Sequence, residues 1–236
     1  MKPWLYYLLA FFGIMLVRYF MVAGGAYWLF YFSSHKFLIK QSVDIVLPNQ
    51  EFIRNDIVLS VIATFASAIC AALVMISYDS GATLLYQSIE DYGVWYLITS
   101  FWIVILLQDT CYYFFHRGLH HPLFYNWLHQ GHHHSKNPTP WTSFALDFPE
   151  ALIQGLFVVA VIALIPMHHV ISALWLLTMT IWSLVNHLGF ELFSSFSNCW
   201  LGKWLISSNH HSLHHRRHTR HFGLYFTFWD RILGTN

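Results

Sequence analysis

Histidine dominates the residues that could do chemistry. The 236-residue sequence holds 17 histidines, and only His35 precedes position 116. In HRGLHH, His116 and His120 stand four apart, and residues i and i+4 of a helix share a face, so both imidazoles can reach one metal ion. HQGHHH supplies His129, His132 and His133 as HxxHH, and HSLHH repeats that spacing with His211, His214 and His215. Positions i, i+3 and i+4 again share one helical face. His187, in NHLGFE, stands alone between them. Neutral imidazole suits iron, zinc, copper and nickel, whereas scarce carboxylates and the lack of a thiolate set disfavour magnesium, calcium and iron–sulfur clusters. Nine imidazoles exceed the four ligands of a tetrahedral zinc and suit two metals with five or six positions each, some left open. Two redox metals with open positions can bind and reduce dioxygen. His168 and His169, in an apolar turn, read as polar residues at a helix end, and His121, His134, His210 and His218 as flanking residues.

The elements that must position these side chains are membrane helices. The chain is 56% hydrophobic and only 10% charged, whereas about a quarter of a soluble domain's residues carry charge. A formal net charge of +1 leaves no basic face for a nucleic-acid partner. A spanning helix needs about 20 predominantly apolar residues. Trp4 to Phe32, Ile57 to Tyr78 and Tyr92 to Phe115 qualify, and Ala151 to Phe190, uncharged but interrupted by Pro166, reads as a helical hairpin. The N-terminal run is too long for a cleavable signal core and is expected to remain as a helix. The fold class expected is all-α integral membrane, about four transmembrane helices or hairpins plus a cytosolic histidine-rich cap. N-terminal transmembrane helices over 1–92 and a catalytic unit over 93–236 are expected to form one integrated body.

Short loops rich in Lys and Arg prefer the cytoplasm. Lys36, Lys40 and Arg54 lie in the first loop, and crossing by crossing this puts Arg117, Lys136 and the tail with Lys203, Arg216, Arg217, Arg220 and Arg231 on the same inner side. Only Lys2, placed outside, runs against the bias. All the histidine clusters then face the cytoplasm. Cys70, Cys111 and Cys199 form no pair with metal or disulfide spacing and read as small apolar residues.

At these residues the sequence resembles the fatty acid hydroxylase and sterol desaturase superfamily of membrane diiron oxygenases, whose pattern is HxxxH, HxxHH, a lone histidine in a late helix, and HxxHH. The resemblance runs from about Asp109 to Thr235 and includes the ending HFGLYFTFWDRILGT. It implies a four-helix transmembrane bundle, two irons (zinc being a possible substitute on purification), and hydroxylation or desaturation of a lipid drawn from the bilayer. Electrons would come from a separate cytochrome or ferredoxin, since no cytochrome domain is evident. No catalytic residue beyond the metal centre is expected.

Two positions depart from the pattern. Where some members carry a further histidine four residues after the late-helix one, this chain has Glu191, and where the family has Asn before Phe-Gly it has His221, either a tenth ligand or a neutral replacement. Asp109, two turns before His116, could fix the tautomer of a ligating imidazole from outside the ligand set. Asp230 and Arg231 are expected to anchor the last turn of the cap, and Trp141, Trp200 and Trp229 to lie at the membrane interface. A histidine-rich metal transporter or metal-binding protein is the rival reading. It would carry polar ligands near the bilayer midplane, and the first two apolar stretches contain no histidine. HExxH, the zinc peptidase signature, is absent.

Overall fold

The computed structural model describes residues 3–33, 49–192, 199–200 and 202–236. Lys2, His35, Lys36 and Lys40 lie outside them. Helix α1 (Trp4–Ser33) and helix α2 (Gln50–Asp79) are each 30 residues long, about 45 Å at 1.5 Å per residue. Both therefore outrun a hydrocarbon core of roughly 30 Å. α1 carries two π-helical stretches, Phe20–Gly24 and Trp28–Ser33, widened turns of the kind found where a helix must re-aim its side chains. The Asn49 side chain caps α2 by accepting the Glu51 backbone N–H at 3.0 Å. The two helices run antiparallel: Tyr7 Oη donates to Asp79 Oδ2 at one end (2.6 Å), and Tyr19 Oη and Ser60 Oγ both donate to the Trp141 carbonyl towards the other.

Helix α3 (Gly93–Leu119) also has spanning length. It is followed by the short helix α4 (Pro122–Leu128), opened by His121, whose Nδ1 accepts the Leu123 N–H. The expected hairpin over 151–190 is resolved into α5 (Phe148–Leu164), a break at Pro166, and α6 (His169–Asn186). At the break, a two-residue strand β2 (Met167–His168) pairs in parallel with β1 (Leu85–Tyr86), Leu85 opposite Met167. His168 caps α6 through Nδ1 and donates from Nε2 to the Gln87 carbonyl at 2.7 Å, the structural role expected of it. α5 packs close on α2 because Gly155 has no side chain: a Cβ there would stand 2.6 Å from Cys70 Sγ.

Large apolar side chains face outward along the helices, Met21 at 71% exposure and Trp95 at 83% among them. In water such a surface would be a liability; against lipid it is the appropriate one. The interior centres on fully buried Trp175, whose indole N–H donates to Gln108 Oε1 at 2.6 Å, with Tyr225 Oη on the same oxygen at 2.8 Å. Trp141 packs among Tyr19, Phe20 and Tyr27, where Gly24 leaves room for its ring. Among the described residues four helices are long and apolar enough to span a membrane, as befits a multi-pass membrane protein.

The tail holds itself together around one carboxylate. Helices α7 (Ser208–Arg217) and α8 (Phe228–Ile232) are joined by a loop whose Phe222 and Gly223 N–H groups donate to Asp230, as does Thr235 Oγ1. Arg231 donates to Thr227 Oγ1 and the Lys203 carbonyl. Both residues thus anchor the last turn.

Candidate metal centre

Four segments deliver the nine histidines to one layer. α3 ends on His116 and His120, which stays one turn away as the helix cap. α6 ends at His187, its C-cap, and Gly189, at φ 79°, turns the chain away where a side chain would strike the Pro138 carbonyl. His211, His214 and His215 sit on α7. The cluster at 129–133 is not the single helical face its spacing suggests: α4 stops at Leu128, His129 caps it, and His132 and His133 lie in a 3₁₀ turn. The turn points neighbouring histidines to different places. One group joins His116, His120, His129, His133 and His214; a second joins His132, His187, His211 and His215, and in each group the candidate ligand atoms lie within 4.8 Å of one another. The HxxHH motifs at 129 and 211 are therefore each split between the groups. The groups adjoin, with the His133 and His215 rings 4.6 Å apart.

The orientation of the rings is set by their outer nitrogens. Nδ1–H of His116 donates to the Phe222 carbonyl (3.0 Å), that of His132 to Ala145 (2.8 Å), of His187 to Ser183 (2.7 Å), of His214 to Arg220 (2.6 Å) and of His215 to Ser135 (3.0 Å). His129 Nδ1 donates to the fully buried Glu150 carboxylate at 2.8 Å. A carbonyl can only accept, so the Nδ1 atoms of the first five rings carry the proton, as does that of His129 when Glu150 is ionised, and in a neutral ring each leaves Nε2 as a bare lone pair. Bare Nε2 atoms then face one another: His116 and His129 at 3.1 Å, His187 and His132 at 3.5 Å. Two lone pairs at that distance repel unless a cation lies between them. Nitrogens bound to one metal at about 2.1 Å and at right angles stand about 3.0 Å apart. The separations of His214 from His120 and His133 (3.1 Å each), and of His211 from His187 (2.9 Å) and His215 (3.1 Å), share that spacing. The donor set therefore fits metal ions, and burial keeps the rings neutral: it lowers His132 from 6.5 to about 4, and carries His133, His211, His214 and His215 well below their ordinary value.

One sequence expectation needs correcting, and one left open between two roles gains a place in the fold. Asp109 does not touch an imidazole; its Oδ1 accepts the Tyr225 and Phe226 N–H groups at 2.7 and 3.1 Å, pinning the tail to α3, because the tail backbone fills the space between α3 and α7. The partner role belongs to Glu150, whose signal was its place as the last carboxylate before a long uncharged stretch. His221 lies outside both groups. Its backbone adopts φ 56°, its N–H donates to the Thr235 carbonyl at 2.7 Å, and its ring packs on His210 at 4.7 Å. Asp56 also escaped notice: buried, it accepts from Ser135 Oγ (2.9 Å) and Thr142 Oγ1 (2.7 Å) and so steadies the segment whose carbonyl holds His215. Of the flanking histidines, His134 lies against Phe52, His210 sits in the capping box of α7 and His218 ends that helix, each outside the two groups.

These features define a multi-pass membrane protein with two adjoining polyhistidine groups that could each hold a metal ion. The fatty acid hydroxylase family model matches residues 101–235, more than half of the chain, and the chain belongs to that family. It is 30% identical to lathosterol oxidase of Rattus norvegicus over 89% of this chain and 71% of the relative. It is 30% identical to the Delta(7)-sterol 5(6)-desaturase ERG3A of Gibberella zeae over 98% of this chain and 62% of the relative, and 27% identical to ERG3B of the same organism over 92% and 67%. No solved structure matches the chain.

Proposed function

We propose that this protein is a membrane-bound oxidoreductase that uses dioxygen and two irons to desaturate or hydroxylate a lipid, with a sterol as the substrate class. The observation that carries the metal assignment is the set of bare Nε2 atoms facing one another at distances that two ligands of one ion would have. The lipid and the redox chemistry rest on family membership and on relatives named as a sterol oxidase and sterol desaturases. Bound iron would supply activation of dioxygen; a desaturation then takes two hydrogens from the lipid and two electrons from a donor, with two protons, to leave two waters.

The protein's own residues hold and orient. His116, His120, His129, His133 and His214 would bind one ion, and His132, His187, His211 and His215 the other. Five backbone carbonyls and Glu150 fix six of these rings before any metal arrives, so little ordering cost remains. Burial of the ligands excludes bulk water, and two of the helices that bring them, α3 and α6, are spans, so a lipid can reach the site from the bilayer. A transporter would need ligands along a path through the bilayer, but α1 and α2 contain no histidine among the described residues.

The Lys/Arg bias supports a cytoplasmic histidine layer, open to a soluble cytochrome or ferredoxin as electron donor. Labelling of a cysteine placed at exposed Lys136 should occur only after permeabilisation; labelling of intact cells would reverse this topology. The function is tested by mass spectrometry of lipids from cells with and without the protein. The expected change is loss of two hydrogens or gain of one oxygen in a sterol, with about two irons per purified chain. No change in any lipid, or an intact activity at less than one metal per chain, would refute the proposal.

A further inference from the structure

A second cavity lies beside the histidine layer. A cavity of about 300 Å³ is lined by Lys203, His210, His221, Thr227 and Arg231. Neither Lys203 nor Arg231 makes an ion pair with a carboxylate among the described residues. Asp230, the nearest acid in the tail, spends its oxygens on Phe222, Gly223 and Thr235. Arg231 is held in place by Nε to Thr227 Oγ1 (3.0 Å), Nη2 to the Lys203 carbonyl (2.6 Å) and its stacking over Trp204 (4.7 Å), while Nη1 makes no hydrogen bond among the described residues. His210 accepts the Ser207 N–H on Nδ1, so its Nε2 carries the proton and is a donor.

His221 forms a buried wall of the pocket. Its side chain is only 6% exposed, yet Nδ1 has no hydrogen-bond partner, and its backbone is held in the left-handed region, which costs a non-glycine residue of order 1 kcal/mol. Two cations without a carboxylate partner, lining one cavity with the His210 Nε2–H, call for an oxyanion. The surroundings favour one at a membrane surface: Trp200, Phe228 and Ile232 are exposed, and Trp229 donates to Thr110, inside the span of α3.

We propose that this pocket binds a phosphate group, either the headgroup of an anionic lipid or free phosphate. Its occupancy would be felt at the metal layer. Residues 220–222 supply two walls at once: His221 lines the pocket, while the carbonyls of Arg220 and Phe222 accept His214 and His116.

The test uses the metal-loaded protein in nanodiscs, with inorganic phosphate titrated by calorimetry and phosphatidic acid compared with phosphatidylcholine by native mass spectrometry. Saturable binding of either phosphate species, at least tenfold weaker in Lys203→Gln and His221→Phe, is expected; which species binds identifies the source. Lys203 is exposed, so its variant should fold, and an unchanged metal content will verify that. Absence of saturable binding, retention of phosphatidic acid no greater than of phosphatidylcholine together with no phosphate binding, or equal affinity in Lys203→Gln would overturn the proposal.

Discussion

Glu150 offers the sharpest test of how the site is held, because it reaches the histidine layer only through His129. Both side chains are fully buried, Oε2 accepts His129 Nδ1–H at 2.8 Å, and Oε1 accepts Gln154 Nε2–H at 3.0 Å. A hydrogen bond to a charged group contributes about 1.5–3 kcal/mol, and each 1.4 kcal/mol is tenfold in affinity. In Glu150→Gln the amide oxygen can still accept from His129 while its NH₂ meets Gln154, whose own amide can rotate to accept. Only the charge is then lost, and metal affinity should fall about tenfold. Glu150→Ala leaves the His129 N–H buried without an acceptor, free to take the other tautomer, and affinity should fall about a hundredfold, the upper end seen for such outer partners. Gln154→Leu keeps the carboxylate on His129 and should change affinity by less than about threefold. Chelator competition on purified protein, with iron per chain measured at each point and activity alongside, reads all three. If Glu150→Ala holds its metal and activity within a factor of two or so of the unmodified protein, the tautomer argument made for all six oriented rings is wrong.

Two further outcomes follow from the same geometry. His116→Ala and His214→Ala remove members of the first group and His132→Ala a member of the second, so each should abolish turnover and lower metal content, whereas His168→Ala loses only a helix cap and should keep most activity; retention in any two of the first three would break the assignment. For pH, the folded value of His132, about 4, lies below its ordinary 6.5, so the buried neutral ring adds stability above pH 6.5 that is lost as pH falls towards 4. Metal-stripped protein should show a flat thermal midpoint above pH 7 and a falling one from 6.5 to 4, a trend that a constant midpoint down to pH 4 would contradict.

Much of this was readable from residue types alone. Water-to-lipid transfer depends mainly on composition and length, so runs such as Ile57 to Tyr78 announce spans without reference to the rest of the fold. The nine histidines were legible for a similar reason: HxxxH and HxxHH are local spacings, and α3 and α7 present His116, His120 and His211 to His215 as helical geometry requires. What spacing could not supply was the division of labour. A helical reading puts His129, His132 and His133 on one face and so on one ion. In the fold a 3₁₀ turn separates them, and α7, lying between the groups, sends His214 to one side and His211 and His215 to the other.

The partners of the outer ring nitrogens were likewise hidden. Asp109 stands on the right helical face to hold His116, but a helical face says nothing of what packs against it. The tail backbone takes that carboxylate, through Tyr225 and Phe226, more than a hundred residues away in sequence. Glu150 and the carbonyls of Phe222, Ala145, Ser183, Arg220 and Ser135 become partners only when separate segments close on one another. Composition and local periodicity thus determined the apolar surroundings, the candidate spans and the residue type of the candidate ligands. Long-range packing decided which imidazole faces which, because a hydrogen bond is directional and short, and no local spacing encodes the position of an acceptor on another segment.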